Sequence, residues 1–103
     1  MSKLLDAAAA RALRGLVLSM AGEAAPLGVS TAVIKSALRL HGYSVNEEEA
    51  LIVCRYLEGR GLIRMESLKN DVLKVGYDIA HITPGGMDVL DGMKPADGIE
   101  LEG

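Results

Sequence analysis

The sequence predicts a mainly α-helical domain that carries one small β-hairpin. Three observations lead there. Apolar residues recur at three- and four-residue steps in three separate stretches, the spacing that gathers side chains on one face of a helix. Ser30, Asn46 and Thr83 stand where helices would begin, and each can accept a hydrogen bond from a free N–H of a first turn. Ahead of Thr83, the polar triplet Lys69-Asn70-Asp71 separates two segments rich in strand-forming residues.

The first stretch runs from Leu4 to Met20, where Leu5, Ala9, Ala12, Leu13, Leu16 and Met20 form the expected buried stripe. Gly22 is the expected stop, and residues 23–28, with Pro26, read as a loop. Ser30 then caps a second helix with Val33, Ile34, Ala37 and Leu38 on its apolar face, ended by Gly42. Asn46 and Glu49 have capping-box spacing, and Val45 with Ala50 has the spacing of a hydrophobic staple. The third helix should therefore run from Glu47 to Glu58, with Ala50, Val53, Cys54 and Leu57 facing the core. Gly59 or Gly61 releases the backbone into a strand over 62–68. A second strand is expected over 72–82, with Leu73, Val75, Tyr77 and Ile79 alternating as half-buried positions and a bulge near 80–82. Thr83 caps a short last helix that has Pro84 at its first position, where the missing N–H costs nothing. The chain is thus expected to form one domain over 1–92 and a flexible acidic tail over 93–103.

A chain of 103 residues has room for one modest core but no deep cleft between lobes. With no Trp, no Phe and three Tyr, that core must be aliphatic. No apolar run approaches the roughly 20 residues that span a bilayer, and the N-terminus lacks the basic and apolar regions of a signal peptide. A soluble cytoplasmic protein without membrane contact is expected. The single cysteine, Cys54, cannot form an internal disulfide and reads as a small buried apolar residue; no Cys/His cluster suits zinc. No Gly-rich phosphate loop and no supported Ser/His/Asp or Cys/His arrangement is present, so neither catalysis nor a cofactor is expected. The net charge is −3, but it is unevenly spread: residues 1–83 carry ten Lys/Arg against nine acids, and residues 84–103 carry Lys94 against five acids.

The order helix, helix, short turn, helix, hairpin, helix is that of a winged helix-turn-helix, with the third helix as the recognition helix and the hairpin as the wing. The junction Tyr56 to Ile63, YLEGRGLI, and the start of the last helix, ITPGGMDVLDG from Ile82 to Gly92, look like those of many small bacterial regulators. More narrowly, GVSTAVIKSALRLHGYSVNEEEALIVCRYLEGRGLI, residues 28–63, resembles a family of small winged-helix proteins of Mu-like phages and prophages, described as ArsR-like regulators. The resemblance implies double-stranded DNA as partner and transcriptional control in a bacterial host cell. Metal-sensing relatives carry cysteine pairs or His/Asp clusters, whereas this chain has one Cys and two separated histidines, His41 and His81, both read as structural.

Lys35 and Arg39 on the second helix, Asn46 and Arg55 on the third, and Arg64, Lys69, Asn70 and Lys74 on the wing are the candidate DNA contacts. The same cations read equally as ordinary solvated charges. A step of roughly 100° per residue places Glu48, Ile52, Arg55 and Gly59 opposite the buried face of helix three. Glu47, Glu48 and Glu49 suit the helix dipole but oppose the approach of phosphates. Ile52, with Leu51 at its flank, together with Ala7, Ala10, Val17 and Leu18 off the main stripe of helix one, forms a candidate homodimer or partner surface. A module for protein–protein contact is therefore the alternative to a sequence-specific regulator.

Overall fold

The computed structural model describes residues 7–101. Four helices and three strands follow in the order α1 (Ala7–Ala24), β1 (Val29–Ser30), α2 (Thr31–Leu40), α3 (Glu47–Gly59), β2 (Ile63–Asn70), β3 (Val75–Ile82) and α4 (Pro84–Leu90). The strands form one antiparallel sheet in the order β1-β3-β2. The architecture is an α+β domain with more sheet than the single hairpin that was expected. The addition is β1, a two-residue strand that pairs Val29 with Ala80 and Ser30 with Ile79. It is too short to show alternation, so its residues read as loop and helix cap.

Local chemistry sets the helix starts. Ser30 Oγ accepts from Val33 N–H at 3.2 Å, and Thr83 Oγ1 accepts from Gly86 N–H at 3.1 Å. Such a cap contributes on the order of 1 kcal/mol. Of the two glycines at the end of α3, Gly61 makes the exit: its φ of +75° is open to glycine at no steric cost. Helix α1 passes through Gly22 and continues to Ala24.

The core is aliphatic, built on Leu13, Val17 and Leu18 of α1, Ile34 and Leu38 of α2, Ala50, Cys54 and Leu57 of α3, and Ile63 and Ala80 of the sheet. This corrects the phase of α1. Val17 and Leu18 are fully buried and cannot serve a dimer surface; Leu16 and Met20 only flank the core, and Leu5 lies outside the described residues. Both faces of α1 are apolar at helical spacing, and periodicity alone cannot rank them. Val33, expected in the core, is exposed.

The second face of α1 has its own cover. The chain beyond Gly92 does not fray over 93–101 as expected: Glu100 N–H donates to the Arg11 carbonyl at 3.0 Å, and Arg14 Nη1 donates to the Gly98 carbonyl at 3.1 Å. Ala96, Ile99 and Leu101 pack against the core. Gly15 lies so close beneath the Glu100 carbonyl that it has no room for a Cβ.

Strands β2 and β3 pair without a break from Ile63↔Ile82 to Asn70↔Val75, so there is no bulge. Their turn spans 71–74, one residue longer and further along than the expected triplet. Asn70 Oδ1 accepts from Leu73 N–H at 2.8 Å, and Lys74 takes the left-handed conformation, φ +59°. Ile63, Met65, Ala80 and Ile82 share the face turned to the core, and the opposite face carries Arg64, Glu66, Leu68, Val75, Tyr77, Ile79 and His81. Val75 and Tyr77, expected half-buried, are exposed. No helix among the described residues is long and apolar enough to cross a membrane.

Candidate functional site

Helix α3 is anchored at both ends. At its start Asn46 Oδ1 accepts from Glu49 N–H at 2.7 Å while Glu49 Oε1 accepts from Asn46 N–H at 2.8 Å, a complete capping box. Thr31 Oγ1 donates to Glu47 at 3.3 Å, joining the first residue of α2 to the first turn of α3. At its end Glu58 Oε2 accepts from Met65 N–H on β2 at 3.1 Å. With Ala50, Cys54 and Leu57 buried, the opposite side is open: Glu48, Ile52, Arg55 and Gly59 are all exposed, as the helical step predicts, and Leu51 is half-buried beside them.

The chemistry of that open side is mixed. Arg55 bridges to Glu58 at 3.1 Å, an exposed i,i+3 pair that adds little stability and leaves the guanidinium free to exchange partners. Glu48 has no ion-pair partner among the described residues. Asn46, a candidate DNA contact, has its side chain committed to the cap, so it holds the helix rather than probing a groove. Burial pushes the Cys54 thiol up to about 11, so it stays protonated and unreactive near neutral pH.

The other candidates fall into two groups. Lys69, Asn70 and Lys74 meet at the turn of the β2–β3 ribbon, where they line one shallow depression with Asp71. Asn70 is used in closing the turn, and neither lysine takes part in an ion pair among the described residues. Arg39 is exposed in the last turn of α2 and Lys35 is half-buried. Arg64 is displaced from this set. It pairs across the sheet with His81, on the face turned away from the helices, and does not join the open side of α3. His81 itself meets Glu66 at 2.8 Å beside the loop at Gly28, a structural pairing.

Sequence reasoning missed two features. One is the apolar strip on the outer face of the ribbon, where Leu68 lies opposite Tyr77 and both are about half exposed. The alternation of Val75, Tyr77 and Ile79 carried the signal but was assigned to the core side. The other is a hollow between α1 and α3, with the Arg14 guanidinium 3.8 Å from the centre of the Tyr56 ring. Comparison with protein-family models and with curated proteins finds no match.

Proposed function

We propose that the chain is a sequence-specific DNA-binding protein of the winged-helix type and a transcriptional regulator, with α3 entering the major groove and the β2–β3 ribbon acting as the wing. The observation that carries this reading is the tie between the two parts. Helix α3 has one side in the core and one side open, and Glu58 joins it to the base of a ribbon tipped by Lys69 and Lys74. The order of elements, with β1 added beside β3, supports the winged-helix assignment. The phage or prophage origin rests on the resemblance of residues 28–63. In this arrangement Arg55 is the base-reading candidate on α3, and Lys69, Lys74 and Arg39 hold the phosphate backbone.

A second reading is favoured by a specific observation: Ile52 is 62% exposed, and Leu68, Val75 and Tyr77 are 47%, 38% and 52% exposed on one face of the ribbon. Those residues suit a protein partner. A gel-shift titration with promoter fragments of the phage and its host separates the two. Retention of one fragment against excess competitor supports the regulator, and equal, weak retardation of every fragment supports the protein-binding module.

A further inference from the structure

The turn between β2 and β3 carries apolar side chains where turn chemistry favours polar ones. Asn70 ends β2, and residues 71–74 read Asp-Val-Leu-Lys. Val72 is 89% exposed and Leu73 66%, and neither joins the core or the residues packed against it. Their backbone is nevertheless held. Asn70 Oδ1 accepts from Leu73 N–H at 2.8 Å, and Lys74 closes the turn in the left-handed region that suits glycine best. Lys69 and Lys74 flank the apolar pair, neither of them in an ion pair among the described residues, and Asp71 is the one acid of the turn.

The reach of this tip is set by the strand behind it. Glu58 ties the last turn of α3 to Met65, and five residue steps of β2 separate Met65 from Asn70. At about 3.3 Å per step, the ribbon carries its turn about 17 Å beyond the tie. That is half of the roughly 34 Å helical turn of a DNA duplex, the spacing between a major groove and the neighbouring minor groove.

We propose that the tip is a wedge: with α3 in a major groove, Val72 and Leu73 enter the adjacent minor groove and unstack one base step, kinking the duplex toward the major groove. The proposal rests on the DNA reading of α3 and the ribbon, and adds to it a deformation of the duplex. Each part of the turn has a task. The apolar side chains fill the gap between two base pairs, and their burial offsets the lost stacking. Lys69 and Lys74 take the phosphates beside the gap and offset the charge of Asp71. The bond from Leu73 N–H to Asn70 keeps the wedge from folding back. The opened step is a thymine–adenine or cytosine–adenine one, since such steps unstack most easily. A bilayer fits less well, because two apolar residues beside an acid make a small anchor.

Energy transfer between dyes at the two ends of the best-retained promoter fragment, cut to about 30 base pairs, measures the bend when the full chain is added. Wild type should bend it by at least about 20°. Val72→Ser with Leu73→Ser should leave it straight and bind it about tenfold more weakly, with the melting temperature and salt slope of wild type, since both side chains are exposed and both lysines remain. Replacing the flexible step by a stiff adenine tract should weaken wild type and leave the double variant unaffected. A wild-type chain that holds one fragment and leaves it straight overturns the wedge while the DNA reading stands. A bend that persists in the double variant overturns it as well. A chain that retains no fragment overturns both, and if the double substitution then abolishes retention on phosphatidylserine vesicles, the tip belongs to a membrane surface.

Discussion

Glu58, in the last turn of α3, accepts a hydrogen bond from Met65 N–H on β2 at 3.1 Å while its other carboxylate oxygen holds Arg55 at 3.1 Å. One side chain thus ties the end of the helix to the ribbon and restrains the cation on the open side of α3. The two roles separate by substitution. Glu58→Gln keeps an acceptor for Met65 and removes only an exposed ion pair, so unfolding free energy should change by less than about 0.5 kcal/mol. Glu58→Ala also strips the acceptor from a part-buried backbone N–H and should cost about 1–2 kcal/mol in urea or thermal unfolding.

At the ribbon tip, Lys69→Ala with Lys74→Ala should weaken binding to all duplexes alike. The slope of log K against log salt should fall by about two, roughly one counterion per phosphate contact. Lys74 also holds a backbone conformation that disfavours a side chain, φ +59°. Lys74→Gly should therefore raise thermal stability, by up to about 1 kcal/mol, while giving the same loss in salt slope as Lys74→Ala.

Among the described residues Arg55 pairs only with Glu58, on an exposed surface, so Arg55→Ala should leave stability within about 0.5 kcal/mol of wild type. On the preferred operator it should cost roughly 1–3 kcal/mol of binding, and distinctly less on random duplex. Equal losses on both, measured by anisotropy titration, would make it a backbone contact.

Gly15 offers a reversal of sign. In an exposed helix interior Gly→Ala gains about 1 kcal/mol. Here a Cβ would meet the Glu100 carbonyl, so Gly15→Ala should instead destabilise by about 1–3 kcal/mol through overpacking. In a chain ending at residue 95 the same substitution should turn stabilising. Unfolding curves of the four proteins in this cycle measure how firmly the returning segment is held.

What could be read from the sequence was whatever local chemistry decides. Asn46 and Glu49 announced the start of α3, Thr83 with Pro84 announced α4, and the inward and outward sides of α3 followed from residue spacing. What escaped depends on contacts distant along the chain. The face of α1 could not be chosen because Leu13, buried as expected, belongs at helical spacing both with Val17, Leu18 and Ala21 and with Ala9, Ala12, Leu16 and Met20. The choice is made by α2, α3 and the sheet on one side and by residues 93–101 on the other. Strand β1 exists only through its pairing with β3, and Val72-Leu73 resembled strand although Asn70 closes a turn around them. Among the site residues, the exposure of Arg55 and Ile52 was legible, as was the cap that occupies Asn46, whereas the placement of Arg64 on the far sheet face needed the register.

The most direct test of the central claim is a fluorescence titration of the wild-type chain on its best-retained promoter fragment and on random duplex, at two salt concentrations. Sequence-specific binding predicts an affinity ratio of at least about a thousandfold at physiological salt, and losses on both duplexes as salt rises. Weak binding with a ratio near one, whatever the salt, would contradict the account and leave Ile52 and the apolar ribbon face as surfaces for a protein.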